Sequence, residues 1–266
     1  MIRTRLRALS SRLRRLAATV DGLPYSYIAR RSAVNAELLV SKIARQSPHP
    51  FAFVQVGSND GQYGDPLHST LMRTDVRGLL IEPVPELFER LTATYAGKPG
   101  LSFVQAAVAE QDGRRDFYWV PPTPADPPWA DQLGSFNRDV VLSHAHDIPD
   151  IASRVQTISV TCRTLSSLVH EAGLLRIDLL HIDAEGFDLA ILKTIDFGAG
   201  WAPRHVLYEQ KHLGSAAPTA IKLLHRWGYH TLDLGPDVFG YRGLGARVRS
   251  RLRPVVRLNT TPTKKI

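Results

Sequence analysis

Short apolar runs that stop at a glycine or an acid alternate, along the middle of the chain, with stretches whose apolar residues recur every three or four positions. Residues 51–56 are apolar except for Gln55 and end at Gly57, which predicts a strand buried on both faces. Further strands are predicted over 78–81, closed by Glu82 and Pro83, over 101–108, over 177–182 running into Asp183, and over 205–208 ending at Glu209. Between them lie predicted helices. Residues 66–73 form the first, and 85–95 the second, with Leu87, Phe88 and Leu91 on one face and Glu86 in the first turn, where the helix dipole favours an anion. Residues 187–195 and 219–227 complete the set. This alternation predicts an α/β fold with a parallel sheet covered by helices on both faces. Its ligand site belongs beyond the carboxyl ends of the strands, at the switch point of the sheet.

Two regions depart from the alternation. Residues 116–120 and 155–162 read as strands of their own, and 121–128 holds five prolines in eight residues, which rules out helix and central strand there. The segment at about 121–150, with Gly134-Ser135-Phe136 and His144-Ala145-His146, is therefore a long insertion, expected to act as a lid over the substrate. A proline-stiffened surface excursion is the plainer alternative. At the start of the chain Leu6, Leu9, Leu13, Leu16 and Val20 form one helical stripe opposite Arg3, Arg7, Arg14 and Arg15. This basic helix would pack on its own domain or across a homodimer, or lie on an anionic membrane surface. Residues 241–266 carry a run of arginines and then a Thr, Pro and Lys tail, expected as a fraying strand or loop. The domain plan is thus a helical extension (1–50), a ligand-binding domain (51–240) and a basic tail (241–266).

Charge refines this picture. Of 266 residues, 1–50 carry 10 basic and 2 acidic side chains, 51–240 carry 15 and 23, and 241–266 carry 8 and none. The body is therefore acidic and the net +8 sits at the ends, opposite to the basic folded surface expected of a nucleic-acid-binding domain, so no nucleic-acid partner is expected. No apolar run reaches the about 20 residues needed to span a bilayer. The single cysteine, Cys162, excludes an internal disulfide and a cysteine zinc cluster. A cytoplasmic protein follows as the expectation, peripheral at the inner membrane surface if the amino-terminal helix binds lipid.

The candidate chemistry sits at the strand ends. Gly57-Ser58-Asn59-Asp60-Gly61 is a turn whose small residues let backbone amides approach a ligand. Glu82 follows the next strand about twenty residues later, the place where a carboxylate accepts hydrogen bonds from ribose hydroxyls in nucleoside-binding sheets. The string Ile177-Asp178-Leu179-Leu180-His181-Ile182-Asp183-Ala184-Glu185-Gly186-Phe187-Asp188 then places a strand, an acid, a Glu-Gly-aromatic-Asp loop and a helix in succession.

That string resembles the signature of the FkbM family of S-adenosylmethionine-dependent methyltransferases. Other pieces agree in order: the Asn59-Asp60-Gly61 turn, Glu82-Pro83, Gln105-Ala106-Ala107-Val108 before Asp112-Gly113, Thr164-Leu165 opening a helix, and Tyr208-Glu209. The resemblance covers 51 to about 230 and implies a class I methyltransferase fold, a doubly wound seven-stranded sheet. It implies that Gly57, Ser58, Asn59, Asp60 and Gly61 lie against the methionine part of S-adenosylmethionine, that Glu82 takes the ribose, and that Ala106 and Ala107 flank the adenine. One departure stands out: many such enzymes carry an acid where this chain has Gln55, so the methionine end needs a different polar contact.

Methyl transfer to an alcohol requires in-line alignment and removal of the hydroxyl proton. Asp183 and Glu209 end neighbouring strands and are expected to hold Mg2+ through oxygen ligands, as in metal-dependent methyltransferases of sugars and macrolides, or to position the acceptor directly. His212, three residues past Glu209, is the first choice of base and His144 on the lid the second. His181, inside a core strand, is expected to be a satisfied core residue. Glu185 and Asp188 support the site or favour the amino end of the next helix. The family's substrates and the acidic body favour a saccharide hydroxyl, with Trp129 and Phe136 to stack on a sugar face. A polyketide-type acceptor, a catalytically silent scaffold, an NAD-dependent oxidoreductase and a nucleic-acid methyltransferase are the rival readings. The oxidoreductase is disfavoured because 57–61 lacks the full G-x-G-x-x-G turn.

Overall fold

A computed structural model describes residues 35–242. The basic amino-terminal stripe (Leu6 to Val20) and the arginine-rich tail fall outside the described residues. The first described element, helix α1 (Asn35–Gln46), buries Leu39, Val40, Ile43 and Ala44 against β1 (Phe51–Val56), so the sheet's core extends into the stretch that the charge pattern groups with the amino-terminal extension. Every residue of β1 is buried, as the apolar run predicts for a central parallel strand. The short helix α2 (His68–Leu71), strand β2 (Val76–Ile81), helix α3 (Pro85–Thr94) and strand β3 (Leu101–Val104) follow. Pro85 opens α3 with its φ already helical.

Seven strands make the main sheet, in the order β10-β11-β9-β8-β1-β2-β3. Strands β8 (Leu179–Ile182) and β9 (His205–Glu209) run parallel to β1, β2 and β3. The hairpin of β10 (His230–Asp233) and β11 (Asp237–Tyr241) adds one antiparallel strand against β9. Helices α1, α2 and α3 cover one face. On the other face α6 (Leu165–Glu171), α7 (Asp188–Thr194) and α8 (Ala217–Arg226) cover alternate residues of the same strands: Val54, Leu180 and Val206 point to this side, and Phe53, Leu179 and Leu207 to the first. Gly78 faces Phe53 across β1 and β2, and a Cβ there would fall 2.0 Å from the Phe53 ring, so only glycine lets that ring lie across β2.

The sequence predicts one strand over 101–108, but the chain leaves the main sheet after Val104. The Ala106 amide turns back onto the Val104 carbonyl, and Ala107–Val108, strand β4, pairs instead with β7 (Gln156–Arg163). A second sheet, in the order β4-β7-β5-β6, contains β5 (Gly113–Trp119) and β6 (Gly134–Ser135). The predicted strands at 116–120 and 155–162 are thus antiparallel partners of one another. The insertion between them folds into α4 (Arg138–Leu142), a 3-10 turn at Ser143–His146 and α5 (Ile151–Arg154) around Val120, Ala130, Leu133, Val141, Ile148 and Ile151. Its proline stretch is pinned by Arg154, which pairs with Asp126 at 2.5 Å and donates to the Pro121 carbonyl. Arg90 on α3 pairs with Asp131, tying the insertion to the main domain. Among the described residues no helix is long and apolar enough to cross a membrane.

Candidate functional site

Strand register alone lines up the site. Val56 lies opposite Ile81 on one side and Ile182 on the other, Ile182 opposite Tyr208, and Glu209 opposite Asp237. The next residues therefore form one row across the carboxyl edge of the parallel strands: Glu82, Gly57, Asp183, Glu209, Asp237. Gly57 is fixed there for two reasons. Its φ is +73°, and a Cβ would stand 1.8 Å from the Asp183 carbonyl oxygen. Asn59 follows in the left-handed region at φ 47°, a conformation asparagine tolerates better than most residues.

Two clefts open on this row. The larger encloses about 500 Å3, open solvent included. Gly57, Asn59, Glu82, Asp183 and Glu185 give it a polar edge, and Val84, Leu87, Ala107, Phe117, Phe136 and Phe187 give it apolar walls. Glu82 is 2% exposed, and its two oxygens accept the amides of Asn59 and Val84, both at 2.9 Å. Burial, opposed by these hydrogen bonds, pushes its pKa up to about 7. The smaller cleft is lined by Gln55, Ser58, Asn59, Tyr63, Asp65, Gln132, His181 and Asp183. Here Gln55 donates to Asp65 at 2.9 Å, while its own Oε1 and the Nδ1 of His181 are buried without partners.

Of the residues the sequence singles out for the cofactor, Gly57, Ser58, Asn59, Glu82 and Ala107 line these clefts. Asp60, Gly61 and Ala106 line neither. The Asp60 carboxylate caps the following turn through the amides of Gln62 and Tyr63, Gly61 packs under Tyr95 and Leu91, and Ala106 is buried in the main core. His181 is buried as expected, but it is not satisfied, and it faces the smaller cleft with its pKa pushed down by burial to about 4. Asp65, Gln132 and Tyr63 were not legible as site residues, because only the fold brings their loops against the glycine turn.

Behind Asp183 the acids crowd together. Burial raises Asp183 to about 7, with the Asp237 charge adding to it. Glu185 rises to about 8 and Glu209 to about 9, first by burial and then by the charge of Asp183. Asp188, at the start of α7 and fully buried, is shifted well above its ordinary range by burial and by Asp183 and Glu209. Lys211 is the cation that opposes the shifts of Asp183, Glu185 and Glu209. His212 does share the crevice of Glu209, its Nε2 lying 3.9 Å from Glu209 Oε1 and 3.1 Å from Glu185 Oε2. The shorter contact is off the hydrogen-bonding angle, so both of its atoms remain unpartnered. The His144 ring packs 5.4 Å from that of His212 and 5.5 Å from Trp129. Burial lowers both histidines, His212 to about 4. Glu209, His212, His144 and Trp129 line neither cleft; Asp183 and Glu185 are the acids of this cluster that do.

The insertion is anchored over this loop. Ser135 donates to the Glu185 carbonyl at 2.7 Å, and Phe136 packs on Phe187 and edge-on to Phe117, beneath the Arg115 guanidinium.

A doubly wound sheet with a glycine turn after β1 and an acid after β2, opening on a cleft with apolar walls, is an α/β architecture of the class I methyltransferase fold. The family profile described as "Methyltransferase FkbM domain" matches residues 55–231, and the chain belongs to that family. Membership makes it a methyltransferase and implies S-adenosylmethionine as methyl donor. No curated protein sequence gives a match. Among solved structures, methyltransferase FkbM from Methylobacillus flagellatus KT is similar at 12% identity and a TM-score of 0.41, over 82% of this chain and 57% of that one. Ribosomal protein L11 methylase from Lactobacillus delbrueckii subsp. bulgaricus is similar at 10% identity and a TM-score of 0.39, over 77% and 75%. Precorrin-6y C5,15-methyltransferase from Geobacter metallireducens GS-15 is similar at 10% and 0.40, over 79% and 88%.

Proposed function

We propose that the chain transfers a methyl group from S-adenosylmethionine to a hydroxyl oxygen of a saccharide. The observation that carries the reading is the register row that sets Glu82, Gly57 and Asp183 on one cleft. The residues present suit the cofactor. Glu82, held by two amides, has carboxylate lone pairs left for ribose hydroxyls. Ala107, Val84, Leu87 and Phe117 offer an apolar slot for a purine. In the smaller cleft Gln55 Oε1 and the Asp65 carboxylate are acceptors suited to the ammonium of the amino-acid end, so the acid missing at Gln55 is supplied from the next loop by Asp65.

When bound, the cofactor supplies a sulfonium methyl open to in-line attack. Asp183 lines both clefts, at their junction, and is the group placed to take the hydroxyl proton. Glu185 stands beside it on the wall of the larger cleft. His212 and His144 act from behind these acids, not on the acceptor. Phe136 on the cleft wall and the acidic body favour a neutral, ring-shaped acceptor over a polyanion. Asp183, Glu185 and Glu209 alone would suit a hard ion such as Mg2+; the two imidazoles beside Glu185 would not.

The test is transfer of labelled methyl to a panel of mono- and oligosaccharides, with a polyketide-type phenol as the rival acceptor. Label on a sugar oxygen, lost in Asp183→Asn, supports the reading. Label on the phenol alone moves the substrate class, and label on no acceptor while cofactor binds supports the silent scaffold.

A further inference from the structure

Five donor atoms around the Glu185 loop are buried and unpartnered: His144 Nε2, His212 Nε2, Glu185 Oε2, Glu209 Oε2 and Asp183 Oδ1. Such atoms are uncommon in a folded chain, because the desolvation is not recovered, and here five of the twelve among the described residues gather around one loop. His144 and Glu209 are each only 9% exposed. A proton shared between Glu185 and His212 would satisfy two of the five, but that contact is misaligned. One donor atom each of His144, Glu185 and His212 lies within 4.8 Å of the others, and the same holds for Asp183, Glu185 and Glu209. Ligands at about 2.1 Å from one ion stand about 3 to 3.4 Å apart when adjacent, so either triad, its atoms within 4.8 Å of one another, closes on an ion with side-chain shifts. Glu185 Oε2 and His212 Nε2, at 3.1 Å, already stand at the adjacent spacing.

We infer that His144, His212 and Glu185 bind one divalent transition-metal ion, with Asp183 and Glu209 completing its surroundings on the far side of Glu185. Two imidazole nitrogens with one carboxylate select a borderline metal such as Zn2+, Co2+ or Fe2+ over the oxygen-seeking Mg2+. The backbone is consistent with a built site. Glu185 holds the left-handed conformation at φ 44°, a strain that proteins retain where geometry matters. Gly186 follows in that region too, and a Cβ there would press on Val140 and His212 at 3.3 and 3.4 Å. His144 comes from the insertion, His212 from the loop after β9 and Glu185 from the loop after β8, so the ion joins the insertion to both acid-bearing loops. Its effect on transfer, exerted through Asp183 and Glu185 at the cleft, rests on the function proposed above; the site does not.

The test uses the full chain, stripped with a chelator and dialysed separately against Co2+, Zn2+, Mn2+ and Mg2+. The inference expects one equivalent of Co2+ or Zn2+ by elemental analysis, ligand-field bands of nitrogen-bound Co2+, and a rise in Tm on adding either ion. His144→Ala and His212→Ala each weaken Co2+ binding at least tenfold, whereas His170→Ala leaves it unchanged. Far-ultraviolet dichroism and S-adenosylmethionine titration of the same variants show whether the fold survives; if a variant does not fold, the wild-type Co2+ spectrum and metal-dependent Tm decide. Uptake of Mg2+ alone, no uptake, or Co2+ binding undiminished in both folded histidine variants overturns it. Failure of wild-type protein to bind S-adenosylmethionine would sink the methyltransferase reading and leave the metal result standing.

Discussion

Glu82 accepts the amides of Asn59 and Val84, and the function proposed above adds the ribose hydroxyls. Replacing it with alanine removes charge-assisted hydrogen bonds of about 1.5–3 kcal/mol each, which predicts a loss of S-adenosylmethionine affinity of about 10- to 100-fold or more by calorimetry. The ligand needs the carboxylate form, and the free protein holds that group near pH 7, raised by burial and Asp183 and lowered by Arg90. Affinity is therefore expected to fall as pH drops below about 7, with proton release on binding detectable in buffers of different ionisation enthalpy, and Glu82→Ala should remove that component. Asp183→Asn is the complementary case: kcat is expected to fall by about 10²- to 10⁴-fold, the usual weight of a general base, with cofactor affinity changed less than about threefold. The role of Asp65 predicts that Asp65→Asn weakens S-adenosylmethionine more than adenosine, which lacks the amino-acid end.

At the scale of elements, the strands that carry the site were legible because their residues obey a local rule. β1 and β8 are buried on both faces, and each stops at a glycine or an acid on the cleft edge. β4 was not legible, since the pattern from Leu101 to Val108 is continuous and only the partner strand β7 shows where the chain changes sheet. His181 misled for a similar reason: an apolar strand around a histidine says that it is buried, not which cavity it meets. Asp60 sat in the right motif, yet its carboxylate is taken up by its own turn. Packing between elements makes a prediction of its own. Gly78→Ala would drive a Cβ into the Phe53 ring and is expected to destabilise by about 1–3 kcal/mol in urea unfolding, with Phe53→Leu recovering part of that loss because the two sites are coupled.

Across the whole molecule, the sheet gathers acids at one edge and leaves them short of counter-charge. Asp237 shows the thermodynamic consequence: burial raises it from 3.8 to about 6. The folded state then holds more protons than the unfolded chain between these values, so this contribution to stability is full below about pH 4 and is lost as pH rises through about 6. Metal-free, ligand-free protein is expected to melt higher at pH 5 than at pH 7.5, and Asp237→Asn should narrow that difference. Such an edge costs stability and is retained where it serves a ligand.

The function proposed above requires this edge to bind S-adenosylmethionine through Glu82 and the glycine turn. Calorimetric titration of wild type and Glu82→Ala with S-adenosylmethionine, and with NAD for comparison, tests it most directly. Saturable one-site binding of S-adenosylmethionine alone, weakened at least tenfold in Glu82→Ala, is expected. Equal affinity in the two proteins, no binding in either, or binding of NAD instead would contradict it.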